Sequence, residues 1–161
     1  IDSTYDSYVF KFYDIHPATD GASFQVNFRD GSTAYDATKT TTYFSAYHVE
    51  TGAGTSALAY VADADLAQST SFTNISSGGS NSGIGNDNDQ SCSGSLTLFN
   101  PSSTTYVKHF INNTNTYNPN DYSINVFTAG YCNVTAAIDA VQFKMSSGNI
   151  DSGVIKLYGI S

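Results

Sequence analysis

Four aspartates stand in two short polar runs, Asp63-Ala64-Asp65 and Asn86-Asp87-Asn88-Asp89. Their carboxylates and the neighbouring amides are hard oxygen donors, the kind Ca2+ takes from loops. Neither run has the spaced glycine and distal glutamate of an EF-hand, and Asx-turns capping their own backbone account for the same residues. Calcium held by Asp63, Asp65, Asp87 and Asp89 and a purely local turn role therefore stand side by side as expectations. The 12 tyrosines offer a second chemistry. An exposed ring stacks on a sugar face while its hydroxyl, with nearby amides and carboxylates, bonds sugar hydroxyls. Tyr117 and Tyr122 flank the end of a polar segment, Asn112 to Asp121, read as a turn that exposes Tyr117. Tyr117, Asn120, Asp121 and Tyr122 form the expected glycan-binding set, against the plainer role of tyrosines that pack and pair across a sheet.

A reacting set is harder to find. There is no GxSxG, P-loop or HExxH, and His16, His48 and His109 lack metal-ligand spacing. His48 and His109 fall inside alternating runs and read as sheet histidines. Glu50, the one glutamate, reads as a solvated residue beside a turn. Hydrolysis by paired carboxylates would require two of them in one cleft, and no catalytic residue is assigned. Cys92 and Cys132 each lie in or beside a strand-like run. A bridge between them would close a loop of about 40 residues and contribute roughly 4 kcal/mol. Two buried free thiols are the alternative.

The elements that must position these residues are strands. Only 12% of residues are charged, and Tyr, Phe, Thr, Ser, Asn and Gly replace the strong helix formers. Tyr8, Phe10 and Phe12 alternate with Ser7, Val9, Lys11 and Tyr13, Phe24, Val26 and Phe28 with Gln25, Asn27 and Arg29, and Leu96 and Leu98 alternate in the same way. Tyr43, Ser45 and Tyr47 alternate with Phe44, Ala46 and His48, and Val107, His109 and Ile111 with Tyr106, Lys108 and Phe110. With turn signals every dozen or so residues, the pattern predicts a single all-β domain over 1–161. Its architecture is an antiparallel two-sheet sandwich of jelly-roll type with eight or nine strands. The first two strands, separated by the turn IHPATDG, read as a meander. The last two, around Val141–Met145 and Val154–Tyr158, read as a closing hairpin over the loop Ser146 to Gly153. Ser76 to Asp89 is the longest loop, with Ile84 its only core-type residue.

A net charge of −8 disfavours nucleic acid and anionic headgroups as partners. No apolar run reaches the roughly 18 residues of a membrane span. The chain opens on Ile1, and is expected to be a processed piece or a module of a longer protein.

The runs GNDNDQSCSGSLTLFNPSSTTYVKHF (Gly85 to Phe110), AGY (Ala129 to Tyr131) and AIDAVQFKMSSGNIDSGVIKLYGI (Ala137 to Ile160), with YDSYVFKFYDIHPATDG near the start, resemble a domain of virion proteins in marine tailed bacteriophages, cyanophages especially. The resemblance implies a non-enzymatic β-sandwich on the particle surface, in a tail fibre or similar appendage. Other virion proteins and copies of itself (a trimer) would be its partners, with host-surface glycans as ligands. It brings no catalytic residues. A capsid decoration protein and a secreted carbohydrate-binding module are the alternatives.

Overall fold

The computed structural model describes residues 1–161 and contains no helix. Ten strands form: β1 (Ser7–Pro17), β2 (Phe24–Arg29), β3 (Lys39–Val49), β4 (Ala57–Tyr60), β5 (Thr73–Asn74), β6 (Cys92–Phe99), β7 (Lys108–Tyr117), β8 (Tyr122–Cys132), β9 (Ala140–Met145) and β10 (Ile150–Ile160). They build two antiparallel sheets of unequal size, ordered β10-β1-β6-β7-β8-β3-β4 and β5-β2-β9. The expected all-β sandwich is therefore present, with ten strands in place of eight or nine.

Alternation forecasts the facing of the apolar strands correctly. Tyr8, Phe10 and Phe12 on β1, Phe24, Val26 and Phe28 on β2, and Leu96 and Leu98 on β6 are all buried between the sheets. Aromatic rings make the joint. Phe12 meets Phe24 edge-on at 5.1 Å, Phe143 of β9 stacks on Phe24 at 5.6 Å, and Phe10 and Phe12 both reach Phe143 at 5.1 and 5.3 Å.

Strand pairing corrects two expectations. The closing hairpin does not form: β9 pairs with β2 in the small sheet, whereas β10 pairs with β1 in the large one. The link between them carries the chain from one sheet to the other and sets Phe143 against Phe10, Phe12 and Phe24. The opening meander does not form either, since β1 and β2 lie in different sheets. β1 continues through Pro17 and the chain then crosses to the opposite sheet. Near its end β1 bulges between Tyr13 and His16, at Asp14 (φ 50°). There it passes Gly153 so closely that a Cβ at that glycine would sit 2.8 Å from the Asp14 carbonyl oxygen.

The segment Asn112 to Asp121 also differs from expectation. β7 runs to Tyr117, and only Asn118–Asp121 turn. Its inward side chains Asn112, Thr114 and Thr116 are polar yet buried, because the short strand β5 and the irregular backbone that follows it to Ser77 cross the large sheet above them. A buried carbonyl needs a donor. Asn112 Nδ2 and Thr114 Oγ1 donate to Ile75 O at 2.9 and 2.5 Å, Thr128 Oγ1 to Asn74 O at 3.0 Å, and Tyr43 Oη to Ser76 O at 2.9 Å. Ile84, from the long loop, is fully buried, as its isolated apolar character suggested.

Of the two alternatives for the cysteines the bridge is not formed: Cys92 and Cys132 are both free and buried. They occupy β6 and β8, with β7 between. Cys92 is level with Thr116 and so with Ile124 on β8, while Cys132 lies eight residues further along that strand, roughly 27 Å away. Burial pushes the Cys92 thiol up to about 11 and the Cys132 thiol up to about 12, the latter opposed by nearby Lys39 and Lys108. Those two lysines flank Cys132 across the sheet and are themselves fully buried.

Phe24→Ala should cost about 3–5 kcal/mol in chemical denaturation, since it opens a cavity where three rings converge. Phe44→Ala should cost less than about 1.5 kcal/mol, because Phe44 lies on the far face of the large sheet and only stacks on Phe127.

Candidate functional site

The small sheet covers one face of the large sheet and leaves the other open. Register places His48, Ser123 and Tyr117 in one row of that open face, then Ala46, Asn125, Asn115 and Ser93 in the next. A third row holds Phe44, Phe127, Asn113, Ser95 and Lys11. Amides, hydroxyls and aromatic rings thus share a surface with few charges.

At the hairpin end of this face is a cavity of about 320 Å³ lined by His48, Val49, Glu50, Asn115, Tyr117, Asp121 and Ser123. The Tyr117 hydroxyl lies 2.8 Å from Glu50 Oε2 and 3.2 Å from Asp121 Oδ1. These two carboxylate oxygens are therefore within about 6 Å of each other, the span of two hydrogen bonds. The Glu50 hydrogen bond, with burial and then Asp121, holds the Tyr117 phenol well above its ordinary range. A phenol has one proton, so it cannot donate fully to both acids. Three acceptor-rich oxygens facing solvent favour a ligand that brings its own donors. Tyr117 Oη sits between the two carboxylates.

The turn after β7 aims these groups. Buried Asn118 accepts the Asn120 and Tyr122 amides on Oδ1 at 3.1 and 2.9 Å. This stabilises a four-residue turn that sets Asp121 at φ 59°, a conformation Asp tolerates better than most residues. The Asp121 carbonyl then accepts the Glu50 amide at 2.8 Å, which ties the end of β3 to the same hairpin. Asn115 Nδ2 donates to Ser123 Oγ at 3.0 Å and fixes the neighbouring wall.

Of the expected glycan set, Tyr117 and Asp121 come together here, with Tyr117 half-buried at a strand end. Tyr122 points to the opposite face, where its ring packs edge-on against Tyr47 at 5.9 Å. Asn120 turns away toward Ser82 Oγ at 3.4 Å. Glu50, read as solvated, is instead a Tyr117 partner. It lies 67 residues away in sequence, and no local pattern signals that contact.

The expected calcium ligands are not gathered. Asp63 faces Ser80 Oγ at 3.5 Å, Asp65 accepts the Tyr60 hydroxyl, and Asp87 belongs to a turn closed by Gln90. Asp89 lines a separate open polar cleft with Asp14, His16 and Asp151. No three His, Cys, Asp or Glu side chains come into metal-binding arrangement.

No protein-family model, curated protein or solved structure matches this chain, so none of these comparisons links it to phage virion proteins.

Asn118→Ala should cost about 1–3 kcal/mol, because two turn amides lose their acceptor. Asp121→Gly should change stability by less than about 0.5 kcal/mol, because glycine adopts the same φ without penalty. Thermal and urea unfolding of the two variants would check the contrast.

Proposed function

We propose that this domain is a non-enzymatic virion module on the outside of a tailed phage particle, part of a fibre or appendage, and that it recognises host-surface glycans. The resemblance of its sequence to phage virion domains motivates the setting. The Glu50–Tyr117–Asp121 cluster on an open sheet face supports the ligand class, and it is the observation on which the reading rests.

The chemistry narrows the ligand. Two carboxylates that share one phenolic proton accept hydrogen bonds from vicinal sugar hydroxyls, each charge-assisted. No lysine or arginine lines the cavity, and the whole chain carries −8. Sulfated and uronic glycans are repelled, and neutral sugars are accepted. The rings and amides along the same face, Phe44, Phe127, Asn113 and Asn125, extend the contact to a chain of several sugars. Fibre modules work as oligomers attached to other virion proteins, and a homotrimer multiplies a weak single-site affinity.

A glycan array spanning neutral and sulfated oligosaccharides tests this. Binding should be confined to neutral glycans, and Glu50→Gln and Asp121→Asn should each weaken it about tenfold, the worth of one charge-assisted hydrogen bond. A preference for sulfated glycans, or binding unchanged in both variants, would reject the site.

A further inference from the structure

The interior holds an amine and an amide in unusual proximity. Lys39 opens β3 in the large sheet and Asn27 lies on β2 in the small one; Lys39 is fully buried and Asn27 is 1% exposed. Lys39 Nζ is 2.5 Å from Asn27 Oδ1, and its other acceptor is the Ala37 carbonyl at 2.8 Å. No carboxylate pairs with it: the salt bridge of the structure is Arg29–Asp139, on the surface. A buried ammonium without a counter-charge costs several kcal/mol. Burial accordingly lowers Lys39 to about 8, opposed by Cys132 across the sheet and by Asp36, so roughly a tenth is free amine at pH 7 and most of it at pH 9.

The partner amide is fixed in place. Its Nδ2 donates to Thr70 O at 3.0 Å, and its Oδ1 accepts the Phe28 amide at 3.0 Å. Lys39 is pinned by reciprocal backbone bonds with Ser69, at 2.8 and 2.9 Å. With a C=O bond of about 1.2 Å, the amine nitrogen stands within about 3.7 Å of Asn27 Cγ, close to a near-attack distance.

We propose that Lys39 and Asn27 form an intramolecular isopeptide bond that joins the two sheets covalently. The lone pair of neutral Nζ adds to Cγ, and the oxyanion on Oδ1 is held by the Phe28 N–H. A proton then passes from Nζ to Nδ2, the Cγ–Nδ2 bond breaks, and ammonia leaves. One amine and one primary amide become one secondary amide and one ammonia, with no change of oxidation state and no co-reactant. The product also removes the uncompensated charge. With no carboxylate in contact to shuttle the proton, the reaction is slow and speeds up as pH rises through the range in which Lys39 loses its proton.

The test is the intact mass of the folded chain held at pH 9 and 37 °C for several days. The expected result is the loss of one ammonia, about 17 Da, with a branched proteolytic peptide joining Asn27 to Lys39. Urea-unfolded protein in the same buffer should not form this peptide. Lys39→Met, which replaces a buried charge by an apolar group of similar length, should fold and lack it. A folded wild-type chain that keeps its full mass would overturn the proposal. So would the same loss in Lys39→Met, since asparagine would then be cyclising on its own backbone. The branched peptide is sought in wild-type protein, so the result stands whatever the stability of the variant.

Discussion

Everything in this molecule depends on a small set of rings, Phe10, Phe12, Phe24 and Phe143, packed edge-to-face and offset where the two sheets meet. Three strands cannot cover seven. The small sheet therefore lies over only part of the large one, and the backbone from Thr73 to Ser77 crosses more of it. That unequal division decides the rest. One face of the large sheet is filled by rings, aliphatic side chains and a buried loop. The other has no packing duty and is free to carry polar groups and exposed rings.

The same division explains why the interior is so polar. Where the small sheet covers, the inward residues are Phe, Leu and Ile. Under β5 at the edge of the small sheet and the irregular backbone that follows it, they are Asn112, Thr114, Thr116 and Thr128, each meeting a main-chain group that would otherwise be orphaned in a dry environment. Lys108 follows the same logic, since its ammonium donates to the carbonyls of Ser103, Tyr106 and Val134. Lys39 is the exception: one of its two acceptors is a side-chain amide, not the main chain. The outer edge shows the opposite imbalance. On β10, Val154, Leu157, Tyr158 and Ile160 are about half exposed because nothing packs beyond the last strand.

Much of this was legible in the residues and some was not. Period-two alternation shows which side of a strand faces in, and it located Tyr8, Phe10, Phe12, Phe24, Val26, Phe28, Leu96 and Leu98. It carries no information about which strand lies alongside, so β9 and β10, close in sequence, read as partners although each pairs elsewhere. Buried threonines and asparagines defeat the pattern altogether: Asn112 to Tyr117 looked like a turn because its inward face is polar. The site divides in the same way. Tyr117 and Asp121 could be picked out from the turn chemistry between them, whereas Tyr122 was one residue too far and fell on the opposite face. Glu50 arrives through β3–β8 pairing, a contact that sequence spacing does not encode.

We propose the uncovered face of the large sheet as the ligand-binding surface. The most direct measurement is an amide chemical-shift titration of the isotope-labelled domain with neutral hexasaccharides of glucose, mannose and galactose. For at least one of them, the perturbed amides should cluster at Glu50, Asn115, Tyr117, Asp121 and Ser123 and extend along β3 and β8 toward Phe44 and Phe127. Perturbations concentrated on β2 and β9, or none with any of the three sugars, would contradict it.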